Sequence, residues 1–144
     1  MITKPFACVL LSVAGLAAGP LMAQEGCVRF DDGWIRLPAM PHMAAGYGTL
    51  RNDCGSGVAV VAAGSDAFAE VTLHETTLDD GVSRMREITR LPLAAGQAAE
   101  LKPGGLHLML MHGKAPLQEG QRVPIRLSLA DGTRVDGELQ VRRP

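Results

Sequence analysis

Nowhere beyond its first two dozen residues does this chain keep apolar residues at helical spacing for three turns; instead short alternating runs are cut at close intervals by glycine and proline. That pattern predicts strands and turns. Ten candidate strands follow: Val28–Phe30, Trp34–Arg36, Gly46–Arg51, Val58–Ala63, Glu70–Thr76, Arg84–Ile88, Ala98–Leu101, Leu106–Met111, Val123–Leu129 and Val135–Val141. Asp79-Asp80-Gly81, Lys102-Pro103-Gly104-Gly105 and Asp131-Gly132 supply the fixed or positive φ that tight turns require. Ala94–Glu100 offers one short helical turn at most, because Gly96 and Pro103 oppose more. With 144 residues the chain has room for one ordinary domain, so the expected architecture is a single antiparallel β-sandwich or Greek-key barrel.

The first residues stand apart from this pattern. Lys4 precedes the apolar run 6–18, and Leu21-Met22-Ala23 leads into polar Gln24. This is the form of a secretory leader, residues 1–23, cut after Ala23. The run is shorter than the roughly 20 residues a bilayer span needs, so no membrane span is expected after processing. Residues 24–144 are then an exported, soluble domain. Cys27 sits four residues past the cut, in Gln24-Glu25-Gly26-Cys27, without the small residues a lipid-attachment signal wants. Cys27 and Cys54 remain as an even pair, and in an exported protein a disulfide is favoured over a two-thiolate metal site. Fourteen basic against fifteen acidic residues leave no electrostatic footprint for nucleic acid.

Chemistry concentrates in the histidines and methionines. In Leu106–Met111, alternation puts Leu106, Leu108 and Leu110 on the core face, so His107, Met109 and Met111 point the other way, Met111 either joining the site or packing behind it. Side chains at i and i+2 stand about 6.6 Å apart at the backbone, within converging reach of one ion. In Glu70–Glu75, Val71 and Leu73 face inward while Thr72 and His74 face outward. Met85 lies among charged neighbours, an odd home for a thioether unless something apolar or metallic covers it. Two thioethers and two imidazoles are neutral, soft donors that select Cu(I). Zinc would want thiolate, carboxylate or more imidazole.

The spacing His74-x10-Met85-x21-His107-x-Met109 is that of the Cu(I)-binding motif of the periplasmic copper chaperone family PCu(A)C. Four His and seven Met would produce it by chance roughly twice in ten thousand such sequences. Trp34-Ile35-Arg36, Ala44–Asn52, Val71–Thr76 and Lys102–Met111 also resemble the family, and the likeness runs from about Val28 to Val141. The resemblance implies a cupredoxin-like β-sandwich that binds one Cu(I) per chain at His74, Met85, His107 and Met109. It implies a periplasmic carrier, not an enzyme, that delivers copper for assembly of the CuA site of cytochrome c oxidase alongside a Sco-type thiol protein. A copper-buffering or resistance protein would use the same site. Some relatives carry a His/Met-rich tail; this sequence ends Val141-Arg142-Arg143-Pro144, so no tail site is expected. Met40, His42 and Met43, in a Pro-rich loop, are candidate auxiliary ligands.

Other classes fit less well. A blue-copper centre needs a Cys thiolate beside two His, and neither cysteine lies near His74 or His107 in sequence. Gly55-Ser56-Gly57 has neither the flanking pattern of a nucleophile elbow nor the further glycine and helix of a phosphate loop.

Overall fold

A computed structural model describes residues 26–143 except 38, 39 and 41. The leader at 1–23 lies outside the described residues. Ten strands follow one another: β1 Val28–Arg36, β2 Met43–Asn52, β3 Val58–Gly64, β4 Phe68–Asp79 and β5 Val82–Glu87, then β6 Leu91–Leu93, β7 Ala98–Leu101, β8 Leu106–Gly113, β9 Arg122–Leu129 and β10 Arg134–Arg142. No helix occurs among the described residues.

The strands form one continuous sheet in the order β5-β4-β8-β7-β2-β1-β10-β9-β3-β6, with β8 also pairing β2. Its two ends, β5 and β6, are joined by only Ile88, Thr89 and Arg90. A link that short spans no more than about 14 Å, so the sheet must fold over and bring its ends together. The Ile88 N–H, at the crossing, donates to the Leu73 carbonyl at 2.8 Å. The two layers of the resulting sandwich bury one core, with Val71, Leu73, Leu108 and Leu110 from one side and Ile125, Leu127, Val135 and Leu139 from the other.

Most ladders are antiparallel, as the turn chemistry predicts; β1 with β10, and Leu101 with Leu106, pair in parallel. Val28–Phe30 and Trp34–Arg36 prove to be one strand. The register of β1 against β2 shifts between Asp31 and Trp34, and Asp32 takes a left-handed φ of 53°. The polar residues that read as a turn are thus a bulge. Strand β6 was not among the expected strands; its Pro92 is tolerated because β6 lies at the end of the sheet. Residues 94–97 form a simple turn, closed by the Gln97 N–H donating to the Ala94 carbonyl at 3.0 Å.

The expected disulfide is present: Cys27 and Cys54 are bonded, with Cα atoms 5.0 Å apart.

Candidate metal centre

Two turns place the chemistry. Asp80 and Gly81 both have positive φ, 47° and 77°, as a two-residue hairpin turn between β4 and β5 demands. That turn fixes the register that sets Met85 opposite Thr76 and Glu87 opposite His74. Before β8, Pro103 and Gly104, with φ 81° at the glycine, make a type II turn closed by the Gly105 N–H donating to the Lys102 carbonyl at 3.0 Å. It delivers β8 alongside β4 so that His107 pairs with His74 and Met109 with Thr72. Residues paired across a sheet share a face, as do residues two apart along a strand. His74, Met85, His107 and Met109 therefore lie on one face of the β5-β4-β8 portion, opposite the core.

Within this cluster the contacts are specific. His107 is 6 % exposed, whereas the outer face of the sheet was expected to leave it open; the Met85 sulfur lies 3.2 Å from its Nε2. Its Nδ1 lies 2.9 Å from the Gly105 carbonyl oxygen. A carbonyl only accepts, so Nδ1 carries the proton and, in the neutral ring, Nε2 presents its lone pair to the thioether. Two Lewis bases thus face each other with no proton between them. Metal–nitrogen and metal–sulfur bonds of about 2.0 and 2.3 Å at a tetrahedral angle would separate the two atoms by about 3.5 Å, so the observed gap is within a few tenths of an ångström of a shared ion.

His74 completes the pattern. Its ring lies 6.0 Å from that of His107, inclined at 30°. Its Nε2 is 2.9 Å from the Thr72 hydroxyl oxygen, and its Nδ1 is buried without any hydrogen-bond partner. An orphaned buried nitrogen costs about 1–3 kcal/mol, a cost that a bound cation would remove. Met85 is the open member, 55 % exposed on the fully exposed β5.

The Gly105 carbonyl and the Thr72 hydroxyl orient the two imidazoles, and the Gly105 carbonyl also accepts from the Thr76 N–H at 3.0 Å. Sequence spacing carries no signal for either role. Among the described residues no group of three or more His, Cys, Asp or Glu is placed to hold a metal. The His74–His107 cluster draws its sulfur from methionine, a donor type that suits a soft monovalent ion. Met40, His42 and Met43 are not brought into this cluster; they line a separate concavity with Met111 and His112.

A family model described as putative lipoprotein LpqE-like matches residues 28–141. The putative lipoprotein Lxx21020 of Leifsonia xyli subsp. xyli is 38 % identical over 138 residues, covering 88 % of this chain and 80 % of its own. The uncharacterized protein RP573 of Rickettsia prowazekii is 28 % identical over 128 residues, covering 85 % and 71 %. Among solved structures, the Cu(I) form of DR1885 from Deinococcus radiodurans matches with TM-score 0.61 and 29 % identity, covering 83 % of this chain and 81 % of that one. The apo PCuAC domain from PmoF1 matches with TM-score 0.68 and 21 % identity over 83 % and 96 %. The expected cupredoxin-like fold is therefore the fold of this chain, and the resemblance to PCu(A)C domains holds at the level of three-dimensional structure. Among the described residues no helix is long and apolar enough to cross a membrane.

Proposed function

The chain belongs to the LpqE-like family, and from that premise we propose that it is a periplasmic Cu(I) carrier. It binds one tight Cu(I) through His74, Met85, His107 and Met109 and delivers the ion for assembly of the CuA site of cytochrome c oxidase, alongside a Sco-type thiol partner. The observation that carries this reading is the pairing of the His107 Nε2 lone pair with the Met85 sulfur at 3.2 Å, with the Nδ1 proton already committed to Gly105. The motif spacing and the likeness to a protein solved in its Cu(I) form support it.

The cluster is graded for release. Met85, on an edge strand and exposed, is the first donor an incoming ligand can displace. His74 is half-buried, and His107, buried and held by the Gly105 carbonyl, lets go last. Stepwise exchange of neutral donors against a partner's thiolates moves the ion without a free intermediate.

An anaerobic Cu(I) titration against a competing chelator tests the site. The protein should take one tight equivalent, weakened by His74→Ala, Met85→Ala, His107→Ala and Met109→Ala individually. Binding indifferent to all four substitutions would overturn it. Delivery is tested by deletion in the source organism: loss of cytochrome oxidase activity supports a carrier, whereas loss of copper tolerance alone would make the protein a buffer.

A further inference from the structure

We propose that the protein has a second Cu(I) site, separate from the first, built from Met40, His42, Met43, Met111 and His112. These five residues line one shallow concavity at the far end of β8, and no other described residue lines it. None of the five is a carboxylate, so the lining donors are three thioethers and two imidazoles; Glu70 pairs with Met111 from β4 but does not line the concavity. That set excludes calcium and magnesium, disfavours zinc and fits a monovalent d10 ion.

The backbone builds the cluster from three directions. Met43 on β2 pairs directly with Met111 on β8, which sets their Cβ atoms about 5 Å apart. His42 enters from the preceding loop, tied down where its carbonyl accepts from the Gly113 N–H at 3.4 Å. His112 is the unexpected contributor. Alternation along β8 would send it toward the core with Leu108 and Leu110, yet it is exposed and adopts a left-handed φ of 55°. For a residue other than glycine that conformation costs about 1–2 kcal/mol, and its effect is to turn the imidazole into the same concavity as Met111.

Packing alone does not account for the methionines. Pliable thioethers normally fill gaps in a core, whereas Met40 is 63 % and Met43 is 44 % exposed. Met109 and Met111 are two residues apart on the same face of β8, about 6.7 Å along the strand. The second site thus sits next to the first on a common stripe of sulfur ligands, and its greater openness makes it the weaker of the two.

The test is a Cu(I) titration of the protein labelled with 13C at the methionine methyl groups, followed by NMR. The first equivalent should shift Met85 and Met109; a second, weaker equivalent should shift Met40, Met43 and Met111. In His74→Ala/Met85→Ala the shifts of Met43 and Met111 should persist, so this site stands or falls apart from the carrier site. In Met43→Ala/His112→Asn, where asparagine tolerates the left-handed backbone, the second equivalent should be lost and the first kept. If Met43 and Met111 do not respond at any ratio, or respond only with the first equivalent together with Met85, there is no separate second site.

Discussion

Replacing His74 with valine should make the metal-free protein more stable and the copper-loaded protein less so. The buried, unpartnered Nδ1 of His74 costs the apo fold about 1–3 kcal/mol. Valine suits a central strand and removes that atom. It also removes the Nε2 contact with Thr72, 2.9 Å long and worth about 0.5–1.5 kcal/mol; the half-exposed Thr72 hydroxyl then bonds to water. The difference is a gain of about 1 kcal/mol, or a rise of about 3–5 °C in Tm for a domain of this size. Losing a proposed ligand should weaken Cu(I) by more than the roughly 10–100-fold typical of an outer-shell partner. At copper one hundred times the wild-type Kd, ligation adds about 2.7 kcal/mol to the wild type and almost nothing to the variant, so the order of stability reverses. Anaerobic thermal melts of both proteins, with and without Cu(I), read both signs. A variant no more stable than wild type when metal-free, or an order that copper leaves unchanged, would refute the assignment of His74 Nδ1 as a vacant donor.

Three further outcomes follow from the same contacts. Met85→Ala, on an exposed edge strand, should change apo stability by less than about 0.5 kcal/mol while weakening Cu(I), measured by denaturant melts beside chelator competition. Cys27→Ser/Cys54→Ser opens a bridge with a sequence separation of 27; it should cost about 3.5 kcal/mol by chain entropy in urea unfolding, and leave Cu(I) affinity unchanged because no proposed ligand touches it. The Asp131 carboxyl accepts from the Thr133 N–H at 2.8 Å, and that bond holds its pKa below the ordinary 3.8. Its contribution is complete above 3.8 and is lost as pH falls through the lower folded-state value, so the melting-temperature gap between wild type and Asp131→Ala should close under acid.

What could be read from the chain was whatever depends on neighbours in sequence. Alternation reveals β4, β8, β9 and β10 because one face of each meets the core, and Asp80-Gly81 announces its hairpin because few other residues accept that backbone. The His-x10-Met-x21-His-x-Met spacing is legible because a hairpin and an i, i+2 step join its members. What depends on pairing between distant strands stays hidden. The β4–β8 register, set across more than thirty residues, sets His107 beside His74 on a face where it is buried. Strand β6 and the continuity of β1 stay hidden too: a sheet edge accommodates Pro92, and a bulge carries β1 through Asp31 and Asp32.

The hydrogen bond from His107 to Gly105 has a consequence for traffic in protons. Because Nδ1 keeps its hydrogen and the remaining proposed donors are a second imidazole and two thioethers, a neutral site takes up Cu(I) without giving up H+, and returns it without needing one. Filling the site changes its charge by the cargo's single positive unit and nothing else. A recipient could therefore tell a loaded protein from an empty one by charge alone, and any proton released in the hand-over comes from the partner's thiols, not from this site.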